Sequence, residues 1–114
     1  MEKVFICSPY RGAEEKNVWL AVRYARFAYE RGYLPIAPHL YFPQFLRDYI
    51  PQERMTGMEL GLALMQQCRE VWVFGERISE GMSMEIAYAD RHRIPVRYFR
   101  QVPGGFVERR RTDG

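Results

Sequence analysis

Four short and almost unbroken apolar runs punctuate the chain: KVFIC at 3–7, YLPIA at 33–37, EVWVF at 70–74 and PVRYF at 95–99. Runs of this length that do not alternate apolar with polar residues suit strands covered on both faces. The stretches between them are long enough for helices. From about Asn17 onward, Val18, Ala21, Val22, Ala25 and Ala28 form one stripe, with Arg23, Arg26 and Glu30 on the opposite face. Gly32 stands where a left-handed cap would end that helix. Further helices are expected over about 52–67 and 82–93, and a short one over about 44–48. Strands alternating with helices predict a parallel sheet with right-handed crossovers. The fold expected is α/β: a small Rossmann-like (flavodoxin-like) sandwich with a four- to five-stranded, mainly parallel sheet. It forms one domain over 1–103, followed by a polar, basic tail over 104–114.

In such sheets ligands bind at the carboxyl ends of the strands. That rim collects the segments 8–12, 38–42 and 75–81, together with the tail. At 114 residues, 47% hydrophobic and 15% aromatic, the chain can bury a packed core. No apolar run approaches the roughly 20 residues of a membrane helix, and the N-terminal run is too short for a signal peptide. A cytoplasmic protein is expected. Cys7 and Cys68 read as small core residues; His39 and His92 are too scattered to complete a metal site, so neither metal nor cofactor is expected. The net charge of +3 rests largely on Arg109, Arg110 and Arg111. With those three set aside the body is near neutral, so no nucleic-acid groove is expected.

Glu85 is the residue most in need of a reason. It follows Ser79-Glu80-Gly81-Met82-Ser83 on a helix that would bury apolar neighbours beside a carboxylate. Burying an ion costs several kcal/mol unless something compensates. A capping box would require Ser or Thr three residues earlier, where Met82 stands. A carboxylate held in partly apolar surroundings suits a nucleophile attacking a sugar carbon. The preceding loop can offer backbone N–H groups and the hydroxyls of Ser79 or Ser83 to an anion, or it can be an ordinary serine–glycine cap. In Ser8-Pro9-Tyr10-Arg11-Gly12, Tyr10 can orient Glu85 and Arg11 can meet a phosphate or carboxylate. The plainer reading is a turn with two exposed side chains. Asn17 is expected to cap the first helix, and His39 either donates to a nucleobase or is structural. Trp19, Tyr41, Phe42, Phe45 and Tyr49 exceed what one small sheet covers, so at least a homodimer is expected.

Ser8-Pro9-Tyr10-Arg11-Gly12, Asn17, Pro38-His39, Trp72-Val-Phe-Gly75 and Ser79-x-Gly-Met-x-x-Glu85-Ile with Ala89 resemble a group of small bacterial and phage proteins of unknown function. That group is similar to the nucleoside 2-deoxyribosyltransferase superfamily, and the resemblance runs from Val4 to Phe99. It implies an N-glycosidase or deoxyribosyltransferase acting on a nucleoside or nucleotide. Glu85 would be the nucleophile at the anomeric carbon, positioned by Ser8 and Tyr10. In members acting on nucleotides, Ser79, Gly81 and Ser83, beside Met82, would hold the 5′-phosphate with Arg11 and Gly12. The resemblance also implies sites built between subunits of a homo-oligomer. One departure stands out: the superfamily aspartate ahead of the third strand has no counterpart in Met58-Glu59-Leu60-Gly61-Leu62-Ala63-Leu64. Glu59 or Asp48 would have to replace it. If neither does, the protein binds a nucleotide-derived ligand, sequestering or sensing it without cleavage.

Overall fold

The computed structural model describes residues 1–111. Its elements run β1 (Lys3–Cys7), α1 (Glu14–Glu30), β2 (Leu34–Ile36), α2 (Pro51–Met65), β3 (Glu70–Phe74), α3 (Glu80–Arg91), β4 (Val96–Val102) and β5 (Gly105–Arg109). Two 3₁₀ turns, Pro38–Leu40 and Phe42–Gln44, lead from β2 towards α2. The strands form one sheet in the order β2-β1-β3-β4-β5. β2, β1, β3 and β4 pair in parallel and β5 is antiparallel to β4. This is the flavodoxin-like order, in which the chain changes direction across the sheet between β1 and β3.

Period-two alternation sorts the strand side chains onto two faces. Val4, Ile6, Trp72, Phe74 and Phe99 pack with Tyr24 and Ala28 of α1 and with Phe106. Phe5, Cys7, Val71, Val73 and Tyr98 pack with Met65 of α2 and with Met82, Ile86 and Ala89 of α3. One face is therefore dominated by rings, the other by aliphatic and sulfur-bearing side chains. Gly75 leaves β3 at φ +103, and its Cα side lies against Pro9, where an added Cβ would meet the ring at 3.6 Å. That close approach joins the loops after β1 and β3.

Four expectations are corrected. In α1 the buried positions are Ala21, Tyr24 and Ala28, while Val22 is 52% exposed. Tyr24 wins its place because its ring stacks on Phe74 at 4.3 Å, so the stripe is rotated from the aliphatic one. α1 begins at Glu14, and Asn17, already helical, does not cap it; its Nδ2 donates instead to the Tyr10 carbonyl at 2.8 Å. The helix expected over 44–48 is absent, since Pro43 falls in a 3₁₀ turn and the chain stays irregular to Pro51. Finally, 105–109 is not tail but an edge strand: Phe106 is 8% exposed against Tyr24, Phe27 and Phe74. Arg97 of β4 pairs with Glu108 at 2.8 Å, and Arg111 with Asp90 at 2.6 Å. The remainder of the expected tail, 112–114, lies outside the described residues.

Candidate functional site

β1 delivers Cys7, fully buried, and then Ser8, 2% exposed, to the point where the sheet changes direction. The Ser8 hydroxyl oxygen is buried and has no hydrogen-bond partner among the described residues. A buried hydroxyl without a partner loses about 1–3 kcal/mol of hydration, and Ser8 lines a cleft. The chain then turns through Tyr10-Arg11-Gly12, held from below by Asn17. Tyr10 stacks on His39 with ring centroids 5.2 Å apart. Burial raises the Tyr10 phenol, with Asp48 and Glu14 adding to the effect, so it stays protonated at neutral pH. Burial lowers the His39 imidazole, opposed by its hydrogen bond to the Ser8 backbone and by Asp48.

On the other side, Ser79 caps α3, its hydroxyl accepting from the Met82 N–H at 3.2 Å. The cap fixes the phase of the helix. Glu80 begins it, and Glu85 lies in the second turn, beyond reach of the unpaired N-terminal donors. Glu85 therefore serves no capping function. Only 6% of it is exposed, between buried Met82 and Ile86; of its other apolar neighbours, Ala87 is exposed and Met84 is half-exposed at the cleft. Burial raises its carboxyl from 4.5 to about 7, the neighbouring Cys7 thiol acting in the opposite sense through a hydrogen bond. Burial, reinforced by Glu85, pushes the Cys7 thiol well above its ordinary value, so it remains a neutral donor.

Ser8 and Glu85 line a cleft of about 660 Å³. Tyr10, Arg11, Gly12 and His39 contribute to its lining, as do Asp48 and the start of α3 through Ser79, Glu80, Gly81 and Met82. Two expected site residues fall elsewhere. Glu59 is exposed and Ser83 is exposed, and neither lines the cleft. The reason is helical phase: α2 turns Arg54, Gly57, Met58 and Gly61 inward, which places Glu59 on the outer side. That α2 face went unnoticed in the sequence, although Gly57 and Gly61, four apart, were a readable sign of close approach. An added Cβ would stand 3.6 Å from Leu46 at Gly57 and 3.9 Å from Pro38 at Gly61. Four of the chain's six methionines, Met55, Met58, Met82 and Met84, also border the cleft, giving it a deformable apolar wall.

The rim is bound together by charge. Arg11 pairs with Asp48 at 3.0 Å, and Arg54 donates to the Asp48 carbonyl at 3.3 Å. Glu53 accepts from the Arg47 backbone N–H at 2.7 Å. Among the described residues no three His, Cys, Asp or Glu side chains converge to hold a metal ion, and no helix is long and apolar enough to cross a membrane.

A family model described as a domain of unknown function, DUF7768, matches residues 2–99. No curated protein matches the chain. Among solved structures, the 2-deoxyribosyltransferase of the psychrotolerant bacterium Bacillus psychrosaccharolyticus superposes with a TM-score of 0.66 at 16% identity, over 86% of this chain and 72% of that one. The two proteins share a fold.

Proposed function

The chain belongs to the DUF7768 family and has the fold of a 2-deoxyribosyltransferase, and from that premise we propose that it cleaves or exchanges the glycosidic bond of a nucleoside or nucleotide, with Glu85 as nucleophile. The single observation that carries this reading is Glu85 itself, a buried carboxyl in the lining of a cleft, raised by that burial to about 7. A group with that value is substantially ionised at cellular pH yet poorly solvated, which suits attack on an electrophilic carbon.

In the first step a Glu85 oxygen bonds to the anomeric carbon as the carbon–nitrogen bond breaks. The electron pair leaves with the base, which takes up a proton. In the second step water, or a ring nitrogen of a second base, attacks the same carbon and frees Glu85, losing its proton to solvent. The intermediate is a covalent glycosyl ester of Glu85, and the transition state of each step is oxocarbenium-like, as in retaining glycosidases. Tyr10 and Ser8 position the sugar and Glu85, and His39, stacked on Tyr10, hydrogen-bonds the base. Arg11, Gly12, Ser79, Gly81 and Met82 surround the far end of the sugar. Asp48 is the remaining candidate to assist the departing base, since Glu59 is outside the cleft.

The alternative is binding without turnover. Its support is that Glu59 is outside the cleft and that Asp48, the remaining acid candidate, is engaged by Arg11 at 3.0 Å. Incubation with the common nucleosides and their monophosphates, followed by assay for free base, decides between them. The enzymatic reading expects base release by wild type and none by Glu85→Gln. Ligand that stabilises the fold and is recovered intact establishes the binding module instead.

A further inference from the structure

We propose that the cleft selects nucleosides with a free 5′-hydroxyl and rejects their 5′-phosphates, with Asp48 as the specificity-determining residue. This rests on the nucleoside reading above and narrows it. Arg11 lines the cleft, and its guanidinium is already bound to Asp48 at 3.0 Å. The other arginine in the lining, Arg54, is turned to the Asp48 carbonyl. Against these two cations the lining sets Asp48, Glu80 and Glu85, together with Glu53, which is itself paired with Arg47 at 3.9 Å. A phosphate dianion would therefore meet cations already engaged by Asp48 and would add to the like charges of Glu80 and Glu85, which is disfavoured.

The groups that would hold a phosphate are committed elsewhere. The Ser79 hydroxyl caps α3, Ser83 lies outside the cleft, and Glu80 places a carboxylate at the start of that helix, where an anion would otherwise be favoured. What the site does offer is the Ser8 hydroxyl, 2% exposed and without a partner. A neutral sugar hydroxyl satisfies it, donating or accepting one hydrogen bond.

Calorimetric titration of wild type with each common deoxynucleoside and its 5′-monophosphate tests the selection. The nucleoside should bind at least tenfold more tightly than its monophosphate, and Asp48→Asn should narrow that ratio by freeing Arg11. A second arm uses inorganic phosphate alone. Millimolar phosphate should leave the thermal midpoint of wild type unchanged, raise that of Asp48→Asn, and again do nothing to the Asp48→Asn, Arg11→Gln double variant. Glu80→Gln, on a different element from the ion pair, provides a second charge-removing variant and should shift the ratio in the same direction. A wild type stabilised by phosphate through Arg11, or an Asp48→Asn variant that gains no phosphate response, overturns the proposal. If wild type binds neither nucleoside nor monophosphate, the nucleoside reading fails, while the phosphate arm still decides whether Asp48 excludes anions.

Discussion

The Glu85 carboxyl gives the protein a pH signature that can be read without any substrate. Its folded-state value of about 7 lies above the ordinary 4.5. Between those limits the native chain keeps a proton that the unfolded chain has lost, so this site makes stability fall as pH rises from about 4.5 to 7. Integrated over the window the loss is about 3 kcal/mol. Urea unfolding of Glu85→Gln should show that slope removed, with the variant at least as stable as wild type at pH 8. A nucleophilic role predicts in addition that base release rises with pH through about 7, because only the ionised form attacks. Release that falls over the same interval would make Glu85 a proton donor. Ser8→Ala tests the neighbouring orphan. Removing a hydroxyl that has no partner should leave stability unchanged or raise it by up to about 1 kcal/mol, while ligand binding weakens.

At the scale of elements, β5 and α2 hold the clearest tests. Phe106 closes the ring cluster around Tyr24, Phe27 and Phe74. Phe106→Ala should therefore cost about 3 kcal/mol in chemical denaturation, whereas Val22→Ala on the exposed side of α1 should stay within about 0.5 kcal/mol. Gly57 is helical, and a Cβ there meets only Leu46 at ordinary contact distance. Gly57→Ala should stabilise α2 by up to about 1 kcal/mol and reduce ligand affinity, since the added methyl stands in the cleft lining. β1 and β3 were legible in the sequence because an unbroken apolar run has few other uses. The mainly parallel sheet followed from strand–helix alternation, and Glu85 from a charge with no capping role. β5 was not legible: GFVER carries two charges, and its burial comes from one ring meeting a cluster formed by α1, β3 and β4. The stripe on α1 was misjudged for the same reason, as Tyr24 is drawn inward by Phe74. The α2 contribution to the cleft was not legible because that helix mixes polar and apolar side chains around its circumference and names no inner face.

For the molecule as a whole, self-association is the expectation still to be measured. Trp19, Tyr41, Phe45 and Tyr49 are all more than half exposed, whereas Phe42, grouped with them in the sequence, is buried within the fold. We expect a homodimer, with the mass of two chains by light scattering at micromolar concentration; a single-chain mass would reject it. The division of the core has a practical bearing on every such experiment. Both tryptophans belong to the α1 side: Trp72 sits in the ring-rich cluster and Trp19 projects from α1 itself. The cleft, α2 and α3 lie across the sheet, where Tyr88 and Tyr98 are present but neither tryptophan is. Tryptophan emission thus watches one half of the molecule and is nearly blind to the half that would hold a ligand. Agreement between emission and far-ultraviolet circular dichroism during unfolding would mean that both halves melt as one cooperative unit. A dichroism change that precedes the emission change would instead locate the first loosening on the tryptophan-free, ligand-facing side.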